Sequence, residues 1–189
     1  MKMNRTYQVA GHRFMLWGDK LCKAVEGIAG FRPFESQDGE VLFAFMEDTA
    51  VPVMENVEYT FGYEDVRGFF GRTVKGFMLK LEPSGGNALY LWCTDGGNEV
   101  WICGNLSARL YRFALWVGYG LMTLPYGTIA VHSSCIVYRD RAVLFLGESG
   151  TGKSTHTRLW REHVEGAFLL NDDSPVLRVE DDVVRVYGS

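Results

Sequence analysis

The sequence has few cysteines for its length: its 189 residues include only four, and no two stand in the CxxC spacing of a zinc ribbon or a thioredoxin-like site. We expect all four to be reduced, mostly buried thiols of a cytoplasmic protein. The turn sequence at 95–98 predicts a hairpin in which Trp92 faces Trp101. Because side chains alternate along a strand, Cys93 and Cys103 then point to opposite faces of this hairpin. This register excludes a disulfide between them.

The sequence also lacks an excess of basic residues and a segment typical of membrane insertion. Its 19 Lys and Arg are outnumbered by 23 Asp and Glu, so the basic footprint of a nucleic-acid-binding protein is absent. Residues 1–7 lack the apolar core of a signal peptide. The most apolar stretch, 106–124, contains Arg109 and Arg112, and membrane-spanning helices avoid such charges. We therefore expect neither a nucleic-acid partner nor a membrane partner.

Apolar residues, in contrast, are plentiful at 47%, with 14% aromatic residues. In the first hundred residues they form short runs separated by turn residues, which predicts β-strands. The predicted strands are 7–9, 12–16, 41–45, 57–61, 77–81, 88–93 and 100–103. One early helix interrupts them, with Asp19 as its cap and Gly30 at its end. This pattern indicates a β-rich, antiparallel α+β module.

A longer helix is predicted over 106–123, where Pro125 stops it. We place a domain boundary at Tyr126-Gly127, which gives domains 1–126 and 127–189. The elements predicted in the second domain are strands 129–137, 142–146 and 167–170, helix 153–163, and hairpin strands 176–179 and 183–186. Strands that alternate with a helix in this way indicate an α/β segment.

Residues 147–154 read GESGTGKS, which fits the GxxxxGK[ST] pattern of a phosphate-binding loop at every fixed position. Glycines let the backbone turn tightly and direct amide N–H groups at phosphate oxygens, and the following helix adds its positive N-terminal end. Lys153 can reach the β- and γ-phosphates, and the Ser154 hydroxyl can coordinate Mg²⁺. The predicted nucleotide-binding residues are Gly147, Glu148, Ser149, Gly150, Thr151, Gly152, Lys153, Ser154 and Thr155.

Phosphoryl transfer also needs a carboxylate that holds the metal and a group that orients or deprotonates the acceptor. Asp172 and Asp173 follow the apolar run 168–170 and can divide this work, although an acidic turn is the structural alternative. His132 lies on the strand before the loop's own strand, so a hairpin can bring its imidazole near the loop; a hydrogen-bonded sheet histidine is the alternative. The candidate catalytic residues are His132, Lys153, Asp172 and Asp173, and the candidate metal ligands are Ser154 and Asp172.

Three segments in order, HSS at 132–134, VLFLGESGTGKST at 143–155 and LLNDD at 169–173, resemble HPr kinase/phosphorylase and its related kinases. The phosphate loop also resembles that of phosphoenolpyruvate carboxykinase, whose nucleotide fold that family shares. The resemblance implies a carboxykinase-like core, with ATP bound at the loop and GTP left open as an alternative. It further implies Mg²⁺ near Ser154 and Asp172 or Asp173, an aspartate as general base, and His132 close to the γ-phosphate.

The resemblance covers about 60 residues, from His132 onward. Residues 1–125 do not resemble the N-terminal domain of HPr kinase. The sequence ends sixteen residues after Asp173, where the family's elements for gripping a protein substrate would follow. We therefore expect an incomplete nucleotide-binding segment of a longer protein. We also expect its exposed sheet edge to favour pairing with a second copy.

Three functional hypotheses follow. The favoured one is an ATP-dependent, HPr-kinase-related phosphotransferase that acts on a hydroxyl of a protein or of a small molecule. The second is a non-catalytic nucleotide-binding regulatory or accessory module, motivated by the missing downstream half and the large unassigned β-rich region. The third is a carboxykinase-like small-molecule enzyme, although the substrate arginine and metal-binding lysine and histidine of that enzyme are not identifiable in this sequence.

Overall fold

The computed structural model describes residues 3–37, 39–148 and 150–188. The strands among them are β1 (Asn4–Val9), β2 (His12–Trp17), β3 (Phe43–Glu47), β4 (Asn56–Tyr63), β5 (Val66–Arg72), β6 (Phe77–Pro83), β7 (Leu89–Cys93), β8 (Glu99–Gly104), β9 (Thr128–Ala130), β10 (Ser133–Tyr138), β11 (Arg141–Leu146), β12 (Phe168–Asn171), β13 (Val176–Glu180) and β14 (Val183–Tyr187). The helices are α1 (Asp19–Glu26), α2 (Ala108–Thr123) and α3 (Lys153–His163). The chain is thus a mixed α/β protein with one large sheet and few helices.

The chain divides into two compact units. One comprises Met1–Gln8 and His12–Met122, and the other comprises Val9–Gly11 and Thr123–Ser189. The first unit contains an eight-stranded sheet in the order β1-β2-β3-β8-β7-β6-β5-β4. The second contains two three-stranded sheets, ordered β11-β10-β12 and β14-β13-β9.

The large sheet is mixed, so the prediction of a purely antiparallel module is wrong. Neighbouring strands from β4 to β8 are antiparallel, but β2 pairs with β3 and β3 pairs with β8 in parallel. The connection from β2 to β3 contains α1 and returns the chain in the same direction, as a crossover between parallel strands must. Local alternation of side chains is the same in both arrangements, so it could not distinguish them.

Strand β5 is absent from the predicted elements because its glycines interrupt the apolar pattern. A Cβ at Gly68 would collide with the ring of Phe61, and one at Gly71 would collide with the backbone of Asn56. Glycine therefore allows β4 and β5 to approach closely, a use of glycine within a strand that weakens the sequence signal. The predicted hairpin register is confirmed, since Trp92 pairs with Trp101.

One face of the large sheet carries a cluster of aromatic side chains. Phe14 contacts Tyr7, Phe43, Phe45 and Tyr119, with ring centroids 5.5–5.8 Å apart. Tyr7, Phe14, Phe43 and Phe45 are all at most 4% exposed. Burial raises the pKa of Tyr7 to about 12. Each buried ring of this kind contributes about 1.5–3 kcal/mol relative to an exposed one, so the cluster holds β1, β2, β3 and α2 together.

Helix α1 starts and ends differently from the prediction. Gly18 stands at the N-cap, and Asp19 is the first helical residue rather than the cap. The Asp19 carboxylate instead accepts a hydrogen bond from the backbone N–H of Met3 at 2.8 Å. The helix ends at Glu26, and Gly27 rather than Gly30 follows it.

Helix α2 offers a matched test of the packing against the sheet. A Cβ at Gly118 would lie 2.6 Å from Cε1 of the fully buried Phe45, whereas a Cβ at Gly120 meets nothing within 4 Å. We expect Gly118→Ala to lower the free energy of unfolding by about 1–3 kcal/mol through overpacking. Gly120→Ala should raise it by about 0.5–1 kcal/mol, because alanine is favoured over glycine within helices. Urea unfolding followed by circular dichroism measures both changes. Equal changes in the free energy of unfolding for the two variants would contradict this packing.

The predicted end of α2 is confirmed: the helix ends at Thr123, and Pro125 lies in the 3-10 turn that follows. The predicted strand 129–137, however, is wrong, because it is two strands in different sheets. β9 pairs with β13, and β10 pairs with β11 and β12. The polar residues His132, Ser133 and Ser134 interrupt the apolar run, and Val131 and His132 belong to neither strand. The predicted bounds of helix 153–163 agree with α3.

All four cysteines are free thiols, as predicted. Cys22, Cys93 and Cys135 are buried, and Cys103 is half-buried. Burial raises the pKa of each of the three buried thiols. A thiol is a nucleophile only as its thiolate, so a raised pKa makes these three thiols less reactive.

Candidate functional site

Strand directions in the second unit bring the predicted site residues to one sheet edge. Both β11 and β12 are antiparallel to β10, which lies between them. β11 and β12 therefore run in the same direction, and their carboxyl ends lie beside the start of β10. The loop after β11, the two aspartates after β12 and His132 before β10 consequently meet at this edge.

The loop that joins β11 to α3 needs glycine at three positions. Gly147, Gly150 and Gly152 have positive φ angles of 152°, 81° and 94°, which other residues rarely adopt. Within the loop, the Thr151 hydroxyl donates to the Glu148 carbonyl at 2.7 Å. The predicted phosphate-loop residue Ser149 lies outside the described residues. The GxxxxGK[ST] segment thus joins a strand to a helix, the context in which this motif binds phosphate.

Lys153 is the first residue of α3, and its ammonium group turns back toward the loop. Nζ donates to the carbonyl oxygens of Gly147 at 2.8 Å and Glu148 at 3.0 Å. Nζ also lies 3.0 Å from Nε2 of His132. The predicted proximity of His132 to the loop is confirmed by this contact.

His132 connects Lys153 to Asp173. An ammonium group has only donors, so Nε2 of His132 accepts from Lys153, and the ring proton is on Nδ1. Nδ1 faces Oδ1 of Asp173 at 3.4 Å. The backbone N–H of Ser133 donates to the Asp173 carbonyl at 3.0 Å, which holds His132 and Asp173 side by side. Three of the four candidate catalytic residues thus form one chain of polar contacts.

Asp172 is held by a separate contact. Its Oδ1 accepts a hydrogen bond of 2.6 Å from the hydroxyl of Ser134, a buried residue of β10. The Asn171 side chain accepts backbone N–H bonds from Asp173 at 2.9 Å and Ser174 at 2.8 Å. The predictions assigned no role to Ser134 or Asn171. The role of Asn171 could have been predicted from its position before a turn, because an asparagine side chain there often accepts a hydrogen bond from the backbone N–H two residues later.

The remaining predicted ligands stand in the first turn of α3. Ser154 and Thr155 are exposed there. In the described ranges no hydrogen bond joins Ser154 to Asp172, and no cluster of three His, Cys, Asp or Glu that could hold a metal is found. Mg²⁺ in nucleotide sites is bound by one or two carboxylates together with substrate phosphates and waters. One hydroxyl and an exposed aspartate beside a GxxxxGK[ST] loop fit that pattern, so Ser154 and Asp172 are the residues that could hold the ion.

The arrangement combines an anion-binding element with acid–base groups. The N-terminus of the eleven-residue α3 carries unpaired N–H groups and a partial positive charge, and Lys153 adds a full positive charge. A histidine and two exposed carboxylates lie at the same edge. Such a set can bind a phosphate group and remove a proton from a nearby hydroxyl.

Comparison with known proteins supplies no relatives: no family model matches the chain, and no curated protein matches it. In the part of the chain that the structure describes, no helix is long and apolar enough to cross a membrane.

Proposed function

We propose that this chain binds ATP with Mg²⁺ and acts as an HPr-kinase-related phosphotransferase on a hydroxyl of a protein or a small molecule. One observation carries the proposal: the polar chain Lys153–His132–Asp173 begins at the GxxxxGK[ST] loop and ends at the aspartate pair. A cytoplasmic location is part of the proposal, because the four cysteines are free thiols.

Lys153 and the start of α3 bind the phosphates. In the structure the ammonium of Lys153 is bonded to two loop carbonyls. Phosphate oxygens are stronger acceptors for an ammonium than neutral carbonyls are, so they displace these bonds. The Ser154 hydroxyl and the Asp172 carboxylate hold Mg²⁺, and Ser134 orients that carboxylate. Bound Mg²⁺ supplies neutralisation of the negative charge on the β- and γ-phosphates.

Asp173 acts as the general base. It accepts the proton of the acceptor hydroxyl while the hydroxyl oxygen bonds to the γ-phosphorus, and the bond from that phosphorus to the β,γ-bridging oxygen breaks to release ADP. His132 positions Asp173 through its Nδ1–H, and its Nε2 is directed at Lys153. This assignment gives separate tasks to Asp172 and Asp173, in agreement with their separate hydrogen-bond partners.

Calorimetric titration of the wild-type chain with Mg·ATP, Mg·GTP and pyrophosphate tests the proposal. We expect all three to bind at one site, with pyrophosphate competing against the nucleotides, because the described contacts favour the phosphates. The affinity ratio of ATP to GTP then reports the base preference. A well-folded chain that binds none of the three would contradict the proposal.

A further inference from the structure

Residues 131–134 form an extended segment that leads into β10. The backbone N–H of Val131 donates to the carbonyl of Pro175 at 3.0 Å. Two residues later, the N–H of Ser133 donates to the carbonyl of Asp173, also at 3.0 Å. Bonds at every second residue are typical of an antiparallel ladder. Side chains alternate along such a segment, so every second one lies on the same face.

His132 and Ser134 share one face of this segment, and Lys153 of α3 contacts His132 there. Both aspartates reach this face, because Asp172 accepts a hydrogen bond from Ser134 and Asp173 faces His132. Adjacent side chains of an extended strand point to opposite faces. Asp172 and Asp173 can therefore meet the same face only because the backbone turns where they stand.

Asn171, the last residue of β12, forms this turn. Its Oδ1 accepts hydrogen bonds from the backbone N–H groups of Asp173 at 2.9 Å and Ser174 at 2.8 Å. A side-chain acceptor of this kind offers the backbone an alternative to the bonds of a strand ladder. Asn171 is half-buried and pairs with Cys135 of β10. The strand pairing thus determines where the turn begins.

Asp172 and Asp173 are held in different ways. Ser134, which is fully buried, donates to Oδ1 of Asp172 at 2.6 Å. Asp173 and His132 are each more than half exposed and lie 3.4 Å apart, and exposed contacts between ionisable groups stabilise little. The position of the Asp173 carboxylate therefore depends on its backbone, which the Asn171 side chain holds.

We infer that Asn171 is a positioning residue for phosphoryl transfer, because its side chain holds the turn that directs the Asp173 carboxylate to His132. This inference rests on the proposed function, in which Asp173 is the general base. Asn171 acts through Asp173 and needs no contact with the nucleotide or the acceptor hydroxyl. Displacement of a reacting group by about 1 Å can lower a rate about 100-fold, so the effect of this turn is measurable.

Two substitutions at this position test the turn. Asn171→Ala removes the acceptor, whereas Asn171→Asp keeps it, since aspartate forms the same turn. We expect Asn171→Ala to release phosphate from saturating Mg·ATP about 10–100-fold more slowly than wild type. Asn171→Asp should restore the rate to within about threefold of wild type. The affinity of Asn171→Ala for metal-free pyrophosphate should stay within about twofold, because Lys153 and the start of α3 bind the phosphates.

A double variant shows whether Asn171 acts through Asp173. A positioning residue loses its effect on the rate once the group that it positions cannot react. In an Asp173→Asn background, we therefore expect Asn171→Ala to lower the rate by less than about twofold, a strongly non-additive result.

Asn105→Ala is the matched control. The Asn105 side chain accepts a hydrogen bond from the backbone N–H of Ser107 at 3.0 Å, which is the same bond to the residue two positions later, in the first unit. Thermal unfolding should show a loss of stability in both alanine variants. Only Asn171→Ala should lose rate, which separates positioning from a purely structural role.

Crystal structures of wild type and Asn171→Ala supply a readout that needs no activity. We expect Oδ1 of Asp173 to leave hydrogen-bonding distance of His132 Nδ1 in the variant, while Asp172 keeps its bond to Ser134. If Asn171→Ala does not fold, Asn171→Ser replaces it; serine is a weaker acceptor in such turns, and the expected loss of rate is about threefold or more.

Failure of the proposed function and failure of this inference give different results. A wild-type chain that binds no pyrophosphate, or hydrolyses no ATP, would contradict the proposed function, and the two structures then decide the inference. An unchanged Asp173 carboxylate in the variant structure would overturn it. So would a wild-type rate in Asn171→Ala, or a rate in Asn171→Asp as low as that in Asn171→Ala.

Discussion

Lys153→Ala is expected to lower the affinity for Mg·ATP by about 100-fold or more, because hydrogen bonds to charged groups contribute about 1.5–3 kcal/mol each and 1.4 kcal/mol is a factor of ten. Lys153, which loses its ammonium group in this variant, lies at the loop and is the first residue of α3. This ammonium bonds to two loop carbonyls at an exposed site, so its removal should cost little stability. Calorimetric titration measures the affinity, and thermal unfolding verifies the fold.

Arg158→Ala is the matched control, because it removes one positive charge from the same helix. Arg158 is exposed and pairs with Glu162 one helical turn away, an interaction worth about 0.3–0.5 kcal/mol. We expect wild-type affinity from this variant. Equal Mg·ATP affinity for wild type and Lys153→Ala would show that nucleotide, if bound, is bound elsewhere.

Asp173→Asn is expected to reduce phosphoryl transfer by about 10²–10⁴-fold, the usual contribution of general-base catalysis. Asparagine has the same shape but cannot accept the proton. The turn should persist, because Asn171 is bonded by the backbone N–H of residue 173 and not by its side chain. With no acceptor identified, release of phosphate from Mg·ATP to water is the rate to measure, together with Mg·ATP affinity, which should change only a few-fold.

Asp140→Asn controls for the same chemical change elsewhere in the second unit. Asp140 is an exposed turn residue with a φ of 57°, and asparagine tolerates this conformation well. Its rate should equal that of wild type. An unchanged rate in Asp173→Asn would remove Asp173 from the mechanism. A wild-type chain that binds Mg·ATP but never turns it over would instead favour the non-catalytic nucleotide-binding module.

Local sequence determined the features that depend on neighbouring residues. The bounds of helix 153–163 follow from its apolar spacing. The end of α2 before Pro125 follows from the helix-breaking proline, and the Trp92–Trp101 register follows from the turn residues between the two strands. Each of these signals acts over a few residues, so it can be interpreted without knowing what packs against the segment. The GxxxxGK[ST] motif is of the same kind, because its fixed residues all lie within eight consecutive positions, 147–154.

Only the tertiary structure decided which distant segments are partners. Three features depend on contacts between residues far apart in sequence. They are the parallel pairing of β3 with β2 and β8, the division of 129–137 between two sheets, and the glycine-containing strand β5. The same holds in the site, where Ser134 bonds Asp172 across 38 residues and His132 lies between Lys153 and Asp173. A residue's type limits which bonds it can make, but its partner is decided by the strand pairing that brings the two together.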